Sequence, residues 1–339
     1  MRKFKGNVPI GYHDTFHRSS LFDARLAANL TMCSKVKSQF LRRLCCSASF
    51  LQPPTSREVH VWCLFPDDVP QMNLLCSYES ILPCEERNTV YQAKNKNVQK
   101  EYLLTRVLAR TLIARYTGGF VDPNALRFER GNLGKPTIVW PSQSIIGELW
   151  NPPRIAFNIS HTRSLIVCAV TGASQVGIDV EEKYRVTQTD LIKFARRRFS
   201  EIEVAQLEQL NDLEARKQHF LELWTLKESY GKAIGNGIAG TTLRDAAFAF
   251  DDFSSTLKLK DYLTGVAAHE QVFTINANIL NDANLWQFVL LQLTNSHNVS
   301  ICVQQDLSDP EPFHLDIMKT IPLVKDEPFF EAVALGLSI

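Results

Sequence analysis

Apolar and polar positions follow two periods along this chain, and the switches between them lay out the predicted elements. HVWCLF (His60–Phe65) reads as a strand, stopped by the turn-forming Pro66-Asp67-Asp68. A polar helical stretch begins at Glu85-Glu86-Arg87. KEYLLTRVLARTLIARYTGG then places Leu103, Leu104, Val107, Leu108, Leu112 and Ile113 on one helical face, with Arg106 and Arg110 on its polar side and Gly118-Gly119 as its stop. Ile155–Val170 is two apolar runs around a polar turn, which predicts a hairpin. Val176–Glu182 is apolar up to Asp179. Ser200 with Glu203 makes a capping box that starts a helix over Glu201–Leu210. Phe220–Gly235 carries Phe220, Leu223, Trp224, Leu226, Tyr230 and Ile234 at helical spacing, and Trp224 reads as the buried anchor of that helix. Past a glycine-rich exit at Gly235–Gly240, strands are predicted at Ala246–Phe250, Gln271–Ile275, Trp286–Thr294 and Asn298–Gln304. The last two form a hairpin around Asn295-Ser296-His297.

A long amphipathic helix followed by a hairpin therefore occurs twice. NISHTRSLIVCAV and TNSHNVSICVQ share a Ser-His turn and an apolar strand with a central Cys. The expected fold class is α+β, built as two similar α+β halves about a pseudo-twofold axis, with the active site in the cleft between them. The halves are residues 58–173 and 174–306. Residues 1–57 form a leader, and 307–339 a C-terminal extension with no readable chemistry. One chain completes such a cleft, so a monomer is expected.

Composition changes this picture in two places. The 339 residues, 45% hydrophobic, can bury the core of one large or two moderate domains. The net charge of +1 hides a leader with ten Lys and Arg against two acids, a local +8 that leaves −7 for the rest. An acidic body excludes a general nucleic-acid binder. From Ala24 to Arg57 there is no Asp or Glu, the composition of an organellar transit peptide, with Met32 as an alternative start. Mitochondrion is the expected destination, ahead of plastid or cytosol. No apolar run approaches the roughly 20 residues of a membrane span, so no membrane partner is expected. The eight cysteines show no CxxC, and Cys168 and Cys302 sit in apolar runs as core residues, which fits a reducing compartment.

Four stretches carry candidate chemistry. In FERGNLGKP, glycines allow close backbone approach while Arg130 and Lys135 offer charge to phosphate oxygens; a basic turn between two strands fits equally. His161 stands at the edge of the first hairpin turn, where a histidine can donate to an anion or be purely structural. Asp179 and Glu181, two apart on a strand, point the same way and suit a hard divalent cation, unless they are a solvent-facing strand end. Glu228 and Lys232, four apart on a helix, are a surface ion pair or part of the same site.

Taken in order over Arg106–Gly237, GKP, FNISH, GIDVE, FS-x-x-E and WTLKES-x-x-K resemble the signature series of the Sfp-type 4′-phosphopantetheinyl transferases; the leader suggests an organellar, plant-like member. The resemblance implies transfer of 4′-phosphopantetheine from coenzyme A to a serine of an acyl carrier protein, an acidic helical domain, with release of adenosine 3′,5′-bisphosphate. It implies that Arg130 and Lys135 grip coenzyme A phosphates on a loop made by Gly131, Asn132 and Gly134. Asn158, Ser160 and His161 belong by resemblance to the turn at the 3′-phosphate, and Arg87 to an N-terminal arginine that contacts coenzyme A. Asp179, Glu181 and Glu228 match the acidic trio associated with Mg²⁺, for which Mn²⁺ can substitute. Lys232 matches the lysine at the pyrophosphate, and Glu228, or a water it orients, is the candidate base. The catalytic set is thus Glu228, Lys232 and Asp179. A Mg²⁺-dependent phosphodiesterase or nucleotidyl transferase would also use carboxylates with Lys and Arg, but would need neither the NISH turn nor repeated halves. A non-catalytic carrier-binding module would have no reason to keep every charged position.

Overall fold

Alternate residues of six strands interlock into one apolar slab, and the slab sets the architecture. Val59, Val61 and Cys63, Val167 and Ala169, and Leu315 and Ile317 come from one sheet. They meet Val176, Ile178 and Val180, Val289 and Leu291, and Val299 and Ile301 from another. The computed structural model describes residues 50–69, 72–131, 134–146, 150–184, 190–235, 256–260, 267–276, 286–304, 313–329 and 332–334. The first sheet contains β1 (Glu58–Leu64), β4 (Ala156–His161), β5 (Ile166–Thr171), β11 (His314–Ile321) and β12 (Lys325–Pro328), in the order β12-β11-β1-β5-β4. The second contains β6 (Val176–Glu182), β7 (Thr256–Lys260), β8 (Ala267–Asn276), β9 (Trp286–Leu293) and β10 (His297–Gln304), in the order β6-β10-β9-β8-β7. A small hairpin, β2 (Arg127–Arg130) with β3 (Pro136–Val139), stands apart.

Period-two patterning leaves the second face of each sheet for helices. On β1, His60 and Trp62 turn away from the slab; the Trp62 indole donates to the Tyr116 hydroxyl at 3.1 Å, and the Arg115 guanidinium lies over the Trp62 ring. Those partners end α3 (Lys96–Tyr116), which the Asn95 side chain caps by accepting from Val98 N. Ahead of it come α1 (Met72–Glu79) and α2 (Cys84–Tyr91); a short α4 (Gln143–Ile146) follows β3. Over the second sheet lie α5 (Leu191–Arg198), α6 (Glu201–Gln209) and α7 (Leu213–Ile234). Leu223, Leu226 and Tyr230 of α7 pack on Phe288, Leu290 and Cys302. The capping box at Ser200 and Glu203 is present. Cys168 and Cys302 are fully buried.

The protein is mixed α+β. The orders β1-β5-β4 and β6-β10-β9 repeat one scheme, first-third-second with antiparallel neighbours, and each has helices ahead of its hairpin. The two Ser-His pairs, however, do not occupy equivalent places: His161 closes β4 opposite Ile166, whereas His297 opens β10 opposite Leu293. Residues beyond 306 are also more than an appendage. β11 runs parallel to β1 and the Asp326 carboxylate takes the buried Arg115, while β13 (Ala332–Ala334) pairs with β9 in the other sheet. The strand predicted at Ala246–Phe250 lies outside the described residues. Among the described residues no helix is long and apolar enough to cross a membrane.

Candidate active site

The two sheets meet along β4 and β6 through side chains. Ile178 N donates to Asn158 Oδ1 at 3.1 Å, and Val180 N donates to Ser160 Oγ at 3.4 Å. Because Val176, Ile178 and Val180 fill the slab, strand alternation turns Gly177, Asp179 and Glu181 toward α7. The stripe Trp224, Glu228 and Lys232, at four-residue spacing on α7, lines the same cavity as Asp179 and Glu181. Gly177 makes the approach possible: a Cβ there would stand 1.9 Å from Ser229 O and 2.5 Å from Ala233 N. Strand and helix backbones therefore touch without a side chain between them.

Lys232 does not pair with Glu228. Its Nζ lies 2.6 Å from Asp179 Oδ1 and donates to Ser160 Oγ at 2.7 Å, while the Ser160 hydroxyl donates to Asp179 Oδ1 at 3.0 Å. Trp224, expected as a buried anchor, is only half-buried, and its indole donates to Glu181 Oε1 at 3.0 Å. Asp179 Oδ2 and Glu228 Oε1 are buried with no hydrogen-bond partner. Burial pushes the Asp179 carboxyl up against the opposing pull of Lys232. Burial likewise raises Glu228 to about 7, reinforced by Asp179 and Glu181 and opposed by Lys232. A buried polar atom left unpaired costs about 1–3 kcal/mol, more when charged, so two such oxygens from residues lining one cavity mark a place built for a guest.

A hard divalent cation fits those oxygens, which are carboxylate donors without partners. As the side chains stand, no three or more His, Cys, Asp or Glu among the described residues are gathered as a metal cage. Lys232 holds Asp179, and the Trp224 indole turns Glu181 aside. Asp179 and Glu228 would hold the ion, and Glu181 would join by leaving the indole.

Two cavities open from this point. The first, about 630 Å³, is lined by the residues above together with Arg163. The second, about 700 Å³, is lined by Arg106 and Arg130 with Tyr102 and Phe128. Ile159 and His161 line both, so the cavities adjoin. His161 Nε2 sits 2.8 Å from Glu101 Oε1 of α3. Burial lowers the His161 pKa, Glu101 opposes this, and Lys232 and Arg106 add to it. The result is two adjoining spaces: acid and one lysine in the first, guanidinium groups with Glu85 and Glu86 in the second, and an imidazole where they meet.

Not every predicted residue faces these spaces. Arg130, exposed, does. Gly131 and Gly134 shape the turn behind it: Gly134 takes φ +92°, and Gly131 N donates to Lys135 O at 3.0 Å. Asn132 lies outside the described residues. Arg87, on α2, lines neither cavity. Lys135 lines neither cavity, and its ammonium donates to the carbonyls of Ala233 and Val176. Arg110, predicted on a polar face, is 3% exposed, held by both oxygens of Glu86 and the carbonyls of Pro123 and Leu126. Held in this way, Arg110 borders the second cavity, together with Arg106 one turn earlier. Nothing local separates these two arginines; Glu86, 24 positions away from Arg110, does. Glu101 and Arg163 had no signal in the sequence beyond their charge.

Residues 175–302 match the family described as the 4′-phosphopantetheinyl transferase superfamily, and residues 69–173 match its companion, 4′-phosphopantetheinyl transferase, N-terminal. The 4′-phosphopantetheinyl transferase HetI of Nostoc sp. is 33% identical over 186 residues, 54% of this chain and 71% of the relative. This chain belongs to the 4′-phosphopantetheinyl transferase superfamily. A phosphopantetheinyl transferase of Thraustochytrium sp. is 29% identical over 270 residues, 76% of this chain and 82% of the relative. The 4′-phosphopantetheinyl transferase Sfp of Bacillus subtilis is 29% identical over 162 residues, 48% and 64% of the two chains. Within this superfamily member, Asp179, Glu181, Glu228, Lys232, Ser160 and His161 all fall inside the matched segments and around one cavity.

Proposed function

We propose that this protein transfers 4′-phosphopantetheine from coenzyme A to a serine hydroxyl of an acyl carrier protein, releasing adenosine 3′,5′-bisphosphate. The observation that carries the reading is that the two cavities adjoin at Ile159 and His161. Orphaned carboxylate oxygens and Lys232 stand at one end, Arg106 and Arg130 at the other, and His161 at the join. Coenzyme A presents two clusters of anionic phosphate, and such a pair of cavities meets both. In the transfer, the serine Oγ forms a bond to the phosphorus of the pantetheine phosphate as the bond to the nucleotide phosphate oxygen breaks. The serine proton must leave, and Glu228, ionised above about 7, is placed to take it. Lys232 balances charge on the pyrophosphate. A bound Mg²⁺ or Mn²⁺, held by Asp179, Glu228 and Glu181, would supply further charge neutralisation at phosphate oxygens.

The finer readings rest on narrower support. The repeated first-third-second strand order supports two halves related by an approximate twofold axis. Lining of both cavities by one chain supports a monomer, and light scattering on the purified protein that returned twice the mass of 38.4 kDa would overturn it. The leader, free of acids from Ala24 to Arg57, supports delivery to mitochondria; residues 1–60 fused to a fluorescent protein that stayed diffuse in the cytosol would remove that reading. With Arg106 and Arg130 given to the coenzyme, Arg163 on the first cavity is the basic contact for an acidic carrier.

Mass spectrometry of apo carrier protein incubated with coenzyme A, Mg²⁺ and this protein tests the main reading. The expected result is a gain of about 340 Da on one serine. No gain across several carriers and metals refutes it. Asp179→Ala should abolish the gain while leaving the fold intact.

A further inference from the structure

We propose that Lys135 is a positioning residue that fastens the coenzyme loop to the end of the catalytic helix, rather than a ligand of the coenzyme's phosphates. This rests on the transferase reading of the site. The last carbonyls of a helix have no partner within it. In α7, Gly235, at φ +78°, adopts the left-handed turn and its N–H satisfies Gly231 O. Ala233 O is satisfied from far away in sequence: Lys135 Nζ donates to it at 2.5 Å and to Val176 O at 3.2 Å. One ammonium thus joins the β2–β3 turn, the C-terminus of α7 and the first residue of β6. A cation at a helix C-terminus is also where the helix dipole favours it.

Lys135 is half-buried, and its stem is packed against the helix end. A Cβ at Gly235 would lie 3.5 Å from Lys135 Cβ and Cδ, so the lysine stem runs along the helix end. On the strand side Gly177 brings β6 into backbone contact with Ser229 and Ala233. Gly177 and Lys135 together set the register of α7 against β6, and hence of Glu228 and Lys232 against Asp179. Arg130, in the same turn, is the member that reaches the cavity. Burial lowers the Lys135 pKa to about 8, as expected of an ammonium drawn into protein.

The test uses the full-length protein and the variants Lys135→Met and Lys135→Arg, with Arg130→Ala beside them. Lys135→Met should lower kcat about tenfold with KM for coenzyme A within about twofold, and should speed amide exchange at residues 232–235. Lys135→Arg should restore kcat and exchange protection, whereas Arg130→Ala should raise KM with kcat little changed. A rise in KM for coenzyme A of about tenfold with kcat intact in Lys135→Met would make Lys135 a phosphate ligand and overturn the proposal. So would no change in any readout. Wild-type protein gives a second measurement that needs neither a stable variant nor turnover: acetic anhydride labelling read by mass spectrometry. Lys135 should stay unlabelled with and without coenzyme A, and protection that appears only when coenzyme A is present refutes the assignment. A wild-type enzyme that modified no carrier would sink the transferase reading while the labelling still judged Lys135.

Discussion

Glu228→Gln isolates the least comfortable charge in the site. Glu228 is 7% exposed, one of its oxygens has no partner, and burial moves its pKa from 4.5 to about 7. Between those values the folded protein binds more protons than the unfolded chain, so stability falls as pH rises. The contribution is fully present below 4.5 and is lost as pH climbs through 7. A pKa raised by this much corresponds to about 3 kcal/mol. Asp179 is raised too and adds a slope of the same sign, which Glu228→Gln keeps but without the repulsion between the two carboxylates, so the difference reads Glu228 together with that coupling. Urea denaturation in chelator at half-unit steps from pH 4.5 to 8 measures the difference. The wild type should lose about 3 kcal/mol relative to Glu228→Gln across that range, at constant m-value. If Mg²⁺ sits on these carboxylates, adding it at pH 6 should release protons from the wild type and fewer from the variant. Parallel stability curves, agreeing within about 0.5 kcal/mol at every pH, would show that Glu228 is solvated and that the reasoning fails.

Three further outcomes follow from other contacts. Lys227 and Glu203 form an ion pair at 2.9 Å with both side chains essentially inaccessible, and Glu203 also accepts from Ser200. Lys227→Met alone should cost about 3–5 kcal/mol in urea melts, and adding Glu203→Leu should recover part of it; strictly additive losses would argue against a shared buried pair. Glu101→Gln removes the charge that holds His161 Nε2, so KM for coenzyme A should rise about fivefold with kcat within about twofold in steady-state assays, and an unchanged KM counts against His161 as a ligand contact. Gly177→Ala puts a Cβ into the backbone of Ser229 and Ala233 and should reduce kcat about a hundredfold by displacing α7, a claim that wild-type turnover would end.

The long elements were legible because their patterns are local. The apolar stripe of α3, the capping box at Ser200 and the two hairpins each declare themselves within a few turns of chain. The carboxylate positions were legible for the same reason: period two aims Asp179 and Glu181 together, and four-residue spacing aligns Trp224, Glu228 and Lys232. What each group does with its neighbours was not. Arg106 and Arg110 look alike on a helical wheel until Glu86 claims one of them. Lys135, beside two loop glycines, looks like a phosphate grip until its ammonium is seen to donate to Ala233 O and Val176 O.

By itself the sequence determined the mixed α+β class, the order of helix and hairpin in each repeat of that pattern, and the charged residues that gather around one cavity. Those follow from periodicity and spacing, which act over a few residues. Tertiary structure alone decided that Lys232 holds Asp179 rather than Glu228, that Trp224 restrains Glu181, and that the C-terminal strands join both sheets. Each of these is a contact between segments dozens to hundreds of residues apart. A polar group's partner depends on which distant atoms are buried with it, and no local pattern records that.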